Sequence, residues 1–172
     1  IKLLSTSRIF IAIAFVVATI VIHPGGKVGD VYRALIFVTT MHLFISFLFF
    51  FLEYVLNTRR LYRFAFMQIA WDVVFHTCMV YLSGGINSQF KFLYWLSILY
   101  AAILFLRTGA FVAAGLSCLF YAFLIDLEYF ESLPKLYASF THISFVYEKA
   151  ITYSIIQNSL IFFLIAYVAS AI

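Results

Sequence analysis

Apolar residues run along this chain in long stretches with no strict alternation, and polar residues collect in the gaps between them. Six such stretches cover residues 4–22, 33–56, 61–82, 92–106, 110–130 and 150–172. A helix needs about 20 apolar residues to cross a hydrocarbon core of about 30 Å, whereas barrel strands are short and alternate. The pattern therefore predicts an all-α integral membrane protein, a bundle of six transmembrane helices. No fixed-period repeat and no low-complexity linker interrupts the series, so residues 1–172 read as a single transmembrane domain.

The gaps orient the bundle. His23-Pro24-Gly25-Gly26 ends the first stretch, since proline lacks a backbone donor and glycine loosens the chain. A secretory signal can begin in this way, but no small-x-small site follows and five more stretches do. The first stretch is read as a span, with Arg8 expected to snorkel to the interface. The loop from Asn57 to Arg63 holds Arg59, Arg60 and Arg63, and the positive-inside rule assigns that loop to the cytoplasm. With six spans, both termini follow it there. Lys and Arg divide six inside (Lys2, Arg8, Arg59, Arg60, Arg63, Arg107) to five outside (Lys27, Arg33, Lys91, Lys135, Lys149), the latter diluted by Asp30, Glu128, Glu131 and Glu148. A Pro134-containing gap at residues 131–136 leads into residues 137–149, mixed polar and aromatic and expected to lie partly at the interface.

Composition excludes a soluble domain, because 66% of residues are hydrophobic and only 10% charged, against roughly a quarter charged in soluble domains. The net charge of +4 does not describe a nucleic-acid surface, because the charges sit in the gaps. Cys78 and Cys118 lie in different spans without C-x-x-C spacing and read as small core residues. The chain starts at Ile1 and stops at Ile172 inside an apolar run, which reads as a piece of a longer protein.

The chemistry concentrates in residues 68–90, QIAWDVVFHTCMVYLSGGINSQF. Gln68, Asp72 and His76 recur one helical turn apart inside an apolar run. An ionisable residue within a span costs about 2.5 to 3.5 kcal/mol on insertion scales, so it faces protein or water and takes a partner. Asp72 and His76 can partner each other, and His42 can join them from the second span. Three readings stay open: a buried polar knot that fixes packing, a sensing surface for a ligand or partner helix, or a metal or haem site using His42 and His76. Gly84-Gly85 reads as a helix C-cap and turn, with no lysine-serine pair to make a phosphate loop. Asn87 and Ser88 can cap the next helix.

Elsewhere the signals concern packing. Thr39, His42, Ser46 and Glu53 share one face of the second span, and Gln157, Asn158 and Ser159 form a polar patch in the sixth. His42, Glu53, Gln157 and Asn158 are thus expected polar contacts of the bundle. Gly109/Ala113 and Ala110/Ala114 have the small-xxx-small spacing of closely approaching helices. Tyr94, Tyr100, Tyr121, Tyr129 and Tyr153 read as belt or packing residues. Asp126, Glu128 and Glu131 read as a solvated outer face, with a cation or partner contact as the alternative. No catalytic constellation and no cofactor motif is present in the sequence.

The run from Gln68 through Asp72, Thr77, Tyr81 and Gly84-Gly85-Ile86-Asn87-Ser88 to Phe90, followed by Leu93-Tyr94, resembles the membrane region of PilS-type (NtrB-like) sensor histidine kinases. Gly109-Ala110, Ala113-Ala114 and Tyr121 fit the same pattern, and Gln89 stands where that pattern has proline, which leaves the turn more flexible. The resemblance implies a six-helix sensor in the bacterial inner membrane, followed outside this chain by a PAS domain and a kinase that acts on a response regulator of pilin transcription. It implies a homodimer in lipid, no nucleic-acid partner for this chain, and recognition of a single-span protein such as the pilin subunit. Gln68, Asp72, His76, Gly84, Gly85, Asn87, Ser88 and Phe90 are the expected signal-binding residues, with the last span carrying the signal onward. This chain itself is expected to have no enzymatic activity. The first alternative is a small proton- or ion-coupled transporter using Asp72 and His76, which the lack of a repeat disfavours. The second is a haem-binding membrane protein using His42 and His76.

Overall fold

The computed structural model describes residues 6, 8–14, 17, 29–55, 58–130 and 148–171. The His23 to Gly26 terminator and residues 131–147 lie outside the described residues. Everything described is helix, turn or short 3-10 helix: residues 8–14, α1 (Asp30–Val55), α2 (Thr58–Leu82), η1 (Gly85–Asn87), η2 (Gln89–Phe92), α3 (Leu93–Tyr129) and α4 (Glu148–Ala169). Among the described residues, α1 to α4 each contain a stretch long and apolar enough to cross a membrane.

The first compact unit is Ile1–Gln68. The Gly29 carbonyl starts α1 by accepting from Tyr32 N (3.0 Å) and Arg33 N (3.3 Å). The helix then runs 26 residues, about 39 Å at a 1.5 Å rise and so enough for a bilayer core. Its pattern is inverted relative to a soluble helix. Thr39, His42, Ser46 and Glu53 are buried, while Phe37, Met41, Phe44, Phe47 and Phe51 are exposed. Lipid accepts the phenylalanines, and the interior supplies hydrogen bonds that lipid cannot. Thr39 Oγ1 donates to the Leu35 carbonyl at 2.7 Å, and Phe49 meets Phe64 of α2 edge to face at 5.4 Å.

Two sequence expectations change here. Arg59, Arg60 and Arg63 belong to the opening turns of α2 rather than to a loop. Arg8 does not snorkel: it is buried and its Nη1 donates to Gln68 Oε1 at 2.6 Å. Gln68 in turn donates Nε2 to Glu53 Oε1 at 3.3 Å. One amide thus bridges the buried side chains of Arg8 and Glu53, giving Arg8 a partner inside the protein.

The second unit is Ile69–Ile172. Within it, α3 is one run of 37 residues whose Leu106 is non-helical, at φ 54 and ψ −147. The chain folds back on itself at that residue. A Cβ placed on Gly109 would lie 2.7 Å from the Ala101 carbonyl oxygen and would strike the Phe105 side chain, whereas residues eight apart in a continuous helix are separated by about 12 Å. Residues 93–105 and 107–129 are therefore two legs of a helical hairpin. Its seam is made of small residues: Ala101, Ala102, Gly109, Ala110, Ala113 and Ala114 are all buried. Glycine at 109 is what lets the legs meet. α4 packs along α3, turning Phe162 and Ala166 inward and Tyr153, Leu160, Leu164 and Tyr167 outward.

Candidate functional site

The glycine pair shapes the connection between α2 and α3. Gly84 and Gly85 both take positive φ, 124 and 55, a region in which glycine carries no Cβ penalty. The bend is closed by Asn87 N to Gly84 O (3.0 Å) and Ser88 N to Gly85 O (2.9 Å). Ser83 Oγ donates to the Met79 carbonyl at 2.6 Å. With that proton spent, Ser88 is the donor in the 2.6 Å Ser83–Ser88 hydroxyl pair. Ser88 Oγ also accepts from Phe90 N at 3.0 Å, capping η2. Asn87 and Gln89 are exposed at the rim of the bend.

Charged side chains hold the bend from both sides. Ile86 N donates to Glu128 Oε2 at 3.2 Å, and Lys91 Nζ donates to the Ile86 carbonyl at 3.0 Å. The Glu128 carboxylate fills the space where a Gly85 side chain would stand. The acidic end of the fifth span is therefore not uniformly a solvated face. Asp126 is exposed, but Glu128 is folded onto the glycine bend.

Above the bend, α2 presents Asp72, His76 and Thr77. Asp72 and His76 are buried. His76 Nδ1 and Ser97 Oγ lie 3.0 Å apart, and the His76 ring stands edge to face with Tyr94 at 6.3 Å. Thr77 Oγ1 donates to the Val73 carbonyl at 2.7 Å, so Tyr94 donates its hydroxyl to Thr77 at 2.8 Å.

From Tyr94 the contacts continue to the last helix. Its ring meets Tyr121 at 6.2 Å and Phe162 at 5.2 Å. Tyr121 meets Phe162 at 6.2 Å. All three rings are fully buried, so Tyr94 and Tyr121 are not membrane-belt residues. The Tyr121 hydroxyl pairs with Ser154 Oγ at 2.8 Å and accepts from Asn158 Nδ2 at 3.3 Å. Asn158 also donates to the Ser154 carbonyl at 2.7 Å. A hydrogen-bonded and aromatic path thus joins α2, both legs of α3, and α4.

The structure groups the expected site residues unevenly. Asp72, His76, Gly84, Gly85, Asn87, Ser88 and Phe90 all belong to the second unit, whereas Gln68, His42 and Glu53 belong to the first. Asn158 makes bundle contacts, while its neighbour Gln157 is exposed. Arg8, Thr77, Ser97 and Ser154 are polar partners that the sequence reading did not single out as contacts, and Glu128 was read first as solvated. Among the described residues, no group of three or more His, Cys, Asp or Glu is arranged to hold a metal ion.

The chain was compared with known proteins. No curated protein and no solved structure matches it. A family model described as "PilS-like transmembrane domain" matches residues 1–172. That family is the membrane sensor region of a class of histidine kinases, and its six-span architecture agrees with the helices described above. This multi-pass membrane chain belongs to the PilS-like transmembrane domain family.

Proposed function

We propose that the chain senses a single-span membrane protein, such as the pilin subunit, in the bacterial inner membrane, and relays its presence through α4 to a cytoplasmic histidine kinase. Both termini are cytoplasmic in this reading, and two copies work side by side. The observation that carries it is the continuous set of contacts from Thr77 through the buried rings of Tyr94, Tyr121 and Phe162 to Ser154 and Asn158. A partner helix docking near Asp72, His76 and the glycine bend acts on one end of that path, and α4 lies at the other. Differential binding of a few kcal/mol is enough to invert a two-state output.

The test uses the full-length kinase and a pilin-promoter reporter, with and without co-expressed pilin. Asp72→Asn and Gly85→Ala are expected to alter the response while the protein still inserts. Unchanged output in both would remove this site from consideration. Thiol labelling of Arg60→Cys from the cytoplasmic side and Gln89→Cys from the periplasmic side checks the orientation, and reversed sidedness would overturn it.

A further inference from the structure

The glycine bend is fastened by a residue far away in sequence. Glu128 sits one residue before the end of α3 and 42 residues from Ile86, yet its carboxylate accepts from Ile86 N and occupies the side-chain space of Gly85. Seven residues earlier on the same leg, two helical turns away and on the same face, Tyr121 holds Ser154 and Asn158 of α4. One rigid helical segment therefore carries the fastening of the bend and the grip on the last helix.

We propose that Glu128 is a clasp whose closure on Gly85 and Ile86 sets the resting output of the sensor. This rests on the sensor reading above and adds a device of regulation to it. Three observations support a switch rather than a strut. A carboxylate brought out of water gives little net stability even when well paired, so a bend that needed only rigidity is better served by an apolar side chain. The clasp also closes on backbone that two positive-φ glycines have already bent, so the fit does not depend on a bulky side chain of the bend. Finally, the rim residues Asn87 and Gln89 are exposed beside it. A partner arriving at that rim meets the segment that Glu128 fastens. Opening the clasp frees the end of the second leg, and Tyr121 moves with it.

The experiment measures autophosphorylation of the full-length kinase in isolated membranes with labelled ATP and no pilin. Glu128→Ala removes the carboxylate, and Gly85→Ala puts a Cβ in its place. Each is expected to shift resting autophosphorylation several-fold in the same direction, and the double variant no further, because both break one contact. Glu128→Gln, which keeps a carbonyl acceptor for Ile86 N, is expected to fall between Glu128→Ala and wild type. Asp126→Ala, at an exposed carboxylate two residues away, is expected to match wild type. If Gly85→Ala fails to accumulate in membranes, Glu128→Ala and Glu128→Gln carry the test. Wild-type activity in Glu128→Ala, or effects that multiply in the double variant, would overturn the clasp. Failure of the pilin reading shows separately, as a wild-type kinase whose output ignores co-expressed pilin.

Discussion

Phe162→Ala and Phe163→Ala make the same chemical change at adjacent positions of α4 and should give different results. Phe162 is 0% exposed and touches both Tyr94 and Tyr121, whereas Phe163 is 42% exposed and has one tilted ring contact with Phe111 at 6.3 Å. In a bilayer the transfer of a ring from water is not the driving force, because lipid is as apolar as the core. What remains is the cavity and the lost contacts. Removing ~100 Å³ of ring at ~24 cal/mol per Å³ gives ~2.4 kcal/mol for Phe162. At position 163 lipid fills the space, leaving at most the ~0.5 to 1.5 kcal/mol of an aromatic pair. Reversible unfolding of the full-length protein in mixed detergent micelles, followed by tryptophan fluorescence, measures both. The reporter response should also weaken in Phe162→Ala, because the ring couples α4 to Tyr94 and Tyr121. Equal losses at the two positions, or a loss below ~0.5 kcal/mol at Phe162, would refute the buried-path account.

Three further outcomes follow from particular contacts. Leu106→Gly should raise the midpoint of thermal unfolding, since Leu106 holds a glycine-type φ of 54 with its side chain 75% exposed and such backbone strain costs on the order of 1 to 3 kcal/mol; a lowered midpoint would contradict the hairpin. Gln68→Leu removes hydrogen bonds to two buried charged groups, Arg8 and Glu53, each worth ~1.5 to 3 kcal/mol, so a stability loss of ~3 kcal/mol is expected in the same unfolding assay, and a loss under ~1 would show that the bridge is idle. Asn158→Leu should alter signal response, while Gln157→Leu, at an exposed position, should leave it as in wild type; the pilin-promoter reporter reads both, and equal effects would remove the Tyr121–Asn158 link from the relay.

The spans were legible because hydropathy reports directly on the solvent each helix faces, and lipid tolerates no lapse in that pattern over a whole crossing. A close approach was legible for a related reason, since Gly109 and its small neighbours announce one, but not that it joins the two legs of α3. The partner of each polar residue was not legible. Arg8 has the stem length to reach an interface, and nothing local reveals that Gln68 lies closer. Glu128 follows Asp126 in an acidic run that reads as solvated, and only the return of the second leg to the bend separates the two. Tyr94 and Tyr121 read equally as belt or packing tyrosines until the reversal at Leu106 brings them together. In each case the missing information was which spans are neighbours, and a single sequence carries none of it.

The same magnitudes decide how such a domain can both persist and switch. Hydrogen bonds between helices inside a membrane average about 0.6 kcal/mol when measured by double-mutant cycles. The single ring of Phe162 is worth about four times that by its cavity alone. The persistence of the second unit therefore resides in the Tyr94–Tyr121–Phe162 cluster and in the small-residue seam of the hairpin. The polar contacts around them, Thr77 to Tyr94, Tyr121 to Ser154 and Asn158, and Glu128 to Ile86, can each be exchanged for another at little cost. In the sensor reading proposed above, a partner that rearranges those contacts would reorient α4 without unfolding the core that holds it. That division of labour fits the second unit, where Thr77, Tyr94, Tyr121, Ser154 and Asn158 lie along one path, and in the proposed reading a small change in binding there becomes a change in the position of the last helix.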